Sequence, residues 1–150
     1  MPKGELKVCL AEACAFYEVG KSWATPEHIL GPDKYIYPVI VNLAFSCELY
    51  LKALMIWRNP DGSFDRGHSL VDLFNGLSDT DRNGIKGLYI PEFSERGFDD
   101  AIKEFNRLFE DWRYAFEVKE DDNECTIYEL IRFADSVHKY VEETVRSTCD

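Results

Sequence analysis

Four places in this chain combine residue types that can move protons or hold anions. Glu48 and Lys52 stand four apart in the apolar run NLAFSCELYLKALMIW, Glu first, the better orientation for an ion pair along a helix. His68 lies in Gly67-His68-Ser69-Leu70, at the mouth of a short helical pattern. In DWRYAFE, Arg113 and Glu117 are again four apart, with Tyr114 beside them. The last apolar pattern carries Arg132, His138 and Tyr140. An imidazole is the side chain suited to proton transfer near neutral pH. A guanidinium fork matches a carboxylate or a phosphate. A Glu48–Lys52–Arg113–Glu117 cluster would sum near neutral and could be purely structural.

The elements that would position these groups are helices. The stretch from Tyr35 to Trp57 is apolar around its whole circumference, so it should be surrounded by other helices. Its charges argue against a membrane span. Residues 5–19 place Leu6, Cys9, Leu10, Ala13, Phe16 and Tyr17 on one face, predicting an amphipathic helix with a mostly polar outer face and Gly20 as its C-cap. A connector with Pro26 and Gly31-Pro32 follows, and Pro38 is tolerated near the start of the central helix. Asn59-Pro60 should end that helix. Ser69 is the expected cap of a short helix bearing Leu70, Leu73, Phe74 and Leu77, and Asp79 or Thr80 opens another turn or two before Pro91. Phe98, Ala101, Ile102, Phe105, Leu108, Phe109, Trp112 and Phe116 form a clear helical stripe. The solvated run KEDDNE precedes a final helix with Ile127, Leu130, Ile131, Ala134, Val137, Val141 and Val145 toward the core. No segment alternates with period two. The expected fold is therefore all-α: one domain, residues 1–150, a four-helix up-down-type bundle with one or two short extra helices between the second and third main ones.

A chain of 150 residues can bury about 68–70% of its unfolded surface around one core. Its formal net charge of −11 disfavours general binding of a nucleic-acid backbone or an anionic membrane, although a small basic cleft could still handle RNA. The five cysteines are scattered with no CxxC, so neither a disulfide framework nor a zinc site is expected, and Cys47 reads as a small buried hydrophobe. The three histidines are far apart, and no nucleotide-binding or zinc-protease motif occurs. With no secretory leader pattern, a cytoplasmic location is expected.

Taken in order, NLAFSCELYLKALMIW, GHSLVDLFNGL and FNRLFEDWRYAFE resemble the HEPN superfamily of small helical domains over roughly residues 35–146. The resemblance implies a short helical bundle that often dimerises. Many such domains are ribonucleases in toxin–antitoxin, antiviral or RNA-processing systems. They use an Arg followed after four to six residues by a His, without a metal or other cofactor. The Arg steadies the phosphate and the His serves the ribose 2′-hydroxyl. Arg113 falls where that Arg would be, but WRYAFE supplies Glu117 and no His. The literal spacing Arg132 to His138 lies on one helix, where positions six apart point about 240° apart.

The first expectation is thus a non-catalytic or divergent HEPN-like binding or regulatory module, linked to RNA metabolism or a defence system. Its expected partners are a second copy, a protein, or RNA or a nucleotide in a local cleft, with no membrane. The second is a metal-independent endoribonuclease using Arg113 with His68 or Glu117; Glu48, Lys52 and Tyr114 are expected to form a binding or structural charged cluster. The third is a helical protein-interaction domain with no RNA role.

Overall fold

A computed structural model describes residues 3–30, 36–89, 97–110 and 124–146. Among them the chain forms seven α-helices: α1 (Lys3–Trp23), α2 (Pro26–Leu30), α3 (Ile36–Arg58), α4 (Leu70–Asn75), α5 (Asp79–Leu88), α6 (Phe98–Glu110) and α7 (Glu124–Val141). A single π-helical turn, Glu142–Arg146, continues α7. No strand occurs among the described residues. The fold is all-α, with α4 and α5 as the two short helices between the second and third long ones.

The 23 residues of α3 form the centre. Ile40, Leu43, Ala44, Cys47, Tyr50, Leu51 and Leu54 are fully enclosed, and α1, α4, α6 and α7 all pack on it. By length and mean hydropathy (1.7) α3 could cross a membrane, so its charges alone do not exclude that. Its most apolar window is 78% buried inside the fold, as expected of a core helix. The buried Ser46 hydroxyl donates to the Ala13 carbonyl of α1 at 2.9 Å.

Two expectations about α1 fail. The helix runs through Gly20 to Trp23. Gly20 is no cap; it lets α1 approach α3 closely, since a Cβ there would sit 2.7 Å from Leu43 Cδ2. Nor is the outer face mostly polar. Leu6, Leu10 and Ala13 are buried, but Phe16, assigned to the core stripe, is 37% exposed, alongside Val8, Val19 and Trp23. The following segment is more than a connector. Thr25 Oγ1 accepts from the His28 amide and starts α2, with Pro26 at the first helical position, where its missing donor costs nothing.

Arg58 is the last residue of α3, as Asn59-Pro60 requires. The chain reverses at Gly62, whose φ of 71° favours glycine, while the Asn59 side chain donates to the Ser63 carbonyl. Ser69 and Ser78 cap α4 and α5, each accepting from the amide three residues on. The expected helix after Ser69 is shorter than its pattern because Gly76 ends it. On α6, Ala101 and Ile102 are buried, and the Phe98 ring packs against Phe74 and Phe133 at 4.9 and 5.6 Å. The α7 stripe is buried as expected, with Phe133 as an additional core residue and Ile131 only half-buried.

Candidate functional site

The turn Asp65–Ser69 carries the chain from the end of α3 back along it. The Asp65 carboxylate accepts from the Gly67 amide at 2.8 Å and shapes the turn. The Leu70 amide, an orphan donor at the start of α4, is taken by the buried Asn106 Oδ1 of α6 at 2.7 Å. These two ties hold His68 beside the middle of α3. There His68 Nδ1 meets Glu48 Oε1 at 3.1 Å, and Lys52 Nζ donates to Glu48 Oε2 at 3.2 Å. Glu48 and Lys52 are buried, with side chains 6% and 9% exposed, whereas His68 is 77% exposed. Two of the expected site groups, His68 and the Glu48–Lys52 pair, are therefore one cluster. Arg113, Tyr114 and Glu117, the remaining expected members, lie outside the described residues.

The arrangement has a chemical direction. An ionised carboxylate only accepts, so the contact orients the His68 ring with Nδ1 toward Glu48 and Nε2 away from it. Lys52 offsets the carboxylate's charge, so the cluster sums to zero while His68 is neutral. The cluster is not sealed. Lys52 reaches a groove of about 430 Å³ between α1 and α3, floored by Val8, Cys9, Leu49, Ile56 and Phe64, with Glu5 and Glu12 on its lip. Cys9, which donates to the Leu49 carbonyl, is no nucleophile here: burial and the nearby Glu12 push its thiol up to about 11, despite Lys52. Burial likewise raises Cys14, together with Glu18, and Cys47. Among the described residues no three His, Cys, Asp or Glu side chains converge to hold a metal ion.

His138 is used elsewhere. Its Nδ1 pairs with the Tyr50 hydroxyl at 2.7 Å, and its ring stacks on Tyr17 at 3.9 Å. Burial holds its pKa below the usual imidazole value, outweighing the acidic Glu142 and Asp135 nearby. The histidine thus faces α1 and α3, as its neighbours Ala134 and Val141 imply. The Tyr17 hydroxyl donates to Asp135 at 2.6 Å, and Lys21 pairs with the same carboxylate at 2.9 Å.

One charged cluster has no forewarning in the sequence. Asp81, in the first turn of α5, is fully buried and accepts from Arg58 Nε at 3.0 Å, Arg58 Nη2 at 2.8 Å and the Tyr140 hydroxyl at 2.6 Å. Burial pushes this carboxyl up, yet the Arg58 and Tyr140 hydrogen bonds outweigh it and hold the group below the ordinary carboxylate range. Arg58 in turn lies over the Trp57 ring, 4.3 Å from its centroid, and borders a cleft of about 340 Å³ that reaches Phe64 and Ser78. Tyr140 reaches Asp81 only because residue 84 is glycine; a Cβ there would lie 2.1 Å from the tyrosine ring.

No family model, no curated protein and no solved structure matches the chain. The site must be judged on its own geometry.

Proposed function

We propose that this chain is a HEPN-like binding or regulatory module, non-catalytic or divergent, in an RNA-linked or defence-related cytoplasmic system. The observation that carries the reading is the open Glu48–Lys52–His68 cluster. An ion pair buried on the central helix makes contact, through His68 and through Lys52, with solvent and with an apolar groove. A pair kept only for packing would more economically be replaced by apolar side chains. Concave apolar surface with a few converging polar groups is the usual form of a binding site.

A second reading, a metal-independent endoribonuclease, is favoured by the 3.1 Å contact of His68 with Glu48. In that reading His68 Nε2 accepts the ribose 2′-hydroxyl proton. Arg113 would steady the phosphate, as the family resemblance implies. The two readings separate in one experiment. Labelled single-stranded and structured RNAs are incubated in chelator with the wild type, His68→Ala and Arg113→Ala, each checked for folding. Cleavage lost in both variants establishes the nuclease. Binding without cleavage that weakens in His68→Ala supports the module. RNA neither bound nor cleaved removes the RNA link and leaves a helical protein-interaction domain.

A further inference from the structure

The exposed large apolar side chains among the described residues all lie on α1: Val8 (58% exposed), Phe16 (37%), Val19 (49%) and Trp23 (41%). At 100° per residue they fall within about 80° of arc and run about 22 Å along the helix, roughly four turns. The surface does not stop at α1. Phe16 packs on Phe45 of α3 at 5.8 Å, and Val8 continues into the groove beside Leu49 and Lys52. A ridge of this length beside a groove suits a helix laid along it. Among the described residues no strand edge offers itself to an extended peptide.

The charges along this face select the occupant. Glu5 and Glu12 lie three residues before and four after Val8, on the same side of α1, and both are exposed on the groove lip. Glu18 is exposed further along but lies about 100° around the helix from Val19, off the stripe. Lys21 is tied to Asp135, and exposed Lys7 lies about 100° around the helix from Val8. The edge is acidic in a chain of net charge −11. A second copy would offer Glu5 and Glu12 no cation from its own stripe, since Lys7 lies off it and Lys21 is tied to Asp135, whereas a cationic helix supplies one.

We propose that the α1–α3 face docks a cationic amphipathic helix of a partner protein, about four turns long, with apolar anchors toward Val8, Phe16, Val19 and Trp23. Its Lys or Arg side chains meet Glu5 and Glu12. An anchor entering the groove beside Val8 supplies most of the affinity, and the rim charges supply selection and encounter rate. The proposal rests on the binding-module reading and names the chemistry of the partner.

The probe is a synthetic 16-residue amphipathic peptide with Leu on one face and Lys on the other, compared with its Glu-for-Lys counterpart by fluorescence anisotropy. The Lys peptide is expected to bind, more weakly as salt rises, and the Glu peptide at least tenfold less tightly. Val8→Asp and Val19→Asp should each weaken the Lys peptide at least tenfold. Both positions are exposed, so the fold tolerates the change, and the added negative charge would by itself strengthen non-specific attraction. Glu5→Lys with Glu12→Lys should reverse the peptide preference. Equal binding of both peptides, or binding that ignores the Asp substitutions, overturns the site. A dimer in sedimentation that Val19→Asp dissociates overturns it in favour of a second copy. Absence of peptide binding beside intact His68-dependent RNA binding overturns the docking site alone; absence of both overturns the module reading too.

Discussion

Asp81→Asn is the substitution on which the structural reasoning is most exposed. It preserves shape and removes charge from a carboxylate whose side chain is 1% exposed and which accepts from Arg58 at 2.8 and 3.0 Å and from Tyr140 at 2.6 Å. Breaking a fully buried pair typically costs about 3–5 kcal/mol. Arg58 is 39% exposed, so it can turn to water when its partner is gone, which places the cost at the lower end. That lower end is about 3 kcal/mol. For a chain of this size that is a fall in Tm of about 6–12 °C. Tyr140→Phe removes one of the three donors and should cost about 1–2 kcal/mol. The double variant should fall short of the sum, because both changes act on one carboxylate. The pH dependence has a definite sign. The folded pKa of Asp81 is below its unfolded value, so the stabilisation is present above the unfolded pKa of about 4 and is lost as pH falls through the folded pKa. Asp81→Asn should therefore flatten the acid limb of the stability curve. Thermal melts between pH 2 and 7 measure this. A Tm drop under about 2 °C at pH 7, or strict additivity with Tyr140→Phe, would refute the account of Asp81 as a buried, coupled acceptor.

Other outcomes follow from single contacts. Gly84→Ala should destabilise by about 1–3 kcal/mol in denaturant titrations, because its Cβ meets the Tyr140 ring, and most of that cost should vanish in a Tyr140→Ala background. Glu48→Gln leaves the buried Lys52 without its carboxylate and should cost about 3–5 kcal/mol, whereas His68→Ala, at an exposed side chain, should cost under about 1 kcal/mol; similar losses from the two would contradict the burial described. For His138, burial depresses the folded pKa below the unfolded value of about 6.5, so stability should decline as pH drops from 7 toward the folded pKa. Melts of His138→Gln across that window should show the decline removed.

What the sequence made legible was local. Helix period, the Asn59-Pro60 stop, the Ser69 cap and the Glu48–Lys52 pair each depend on residues within a turn or two of one another, and each is where the pattern put it. The face of α1 was ambiguous for a physical reason. Apolar side chains cover much of its circumference, so spacing alone could not choose which stripe α3 would cover, and Phe16 was assigned inward. Gly20 illustrates the same limit: a glycine after an apolar run can be a cap or a close approach, and only Leu43 decides between them. His68 reaching Glu48 depends on a returning turn, and Asp81 on residues 23 and 59 positions away, which no periodicity encodes. Arg113, Tyr114 and Glu117 lie outside the described residues, so the approach of Arg113 to Glu48 stays an expectation.

Tyr17 to Asp135, Tyr50 to His138 and Tyr140 to Asp81 share one property: each phenol tie has one end on α7. Helices α1, α3 and α5 are thereby fastened to the same rod. A chain whose last long helix is the common anchor cannot shed that helix piecemeal. Peeling α7 strips a carboxylate, an imidazole and a phenol of their partners in one event, so its amides should exchange with solvent only through an opening close to global unfolding.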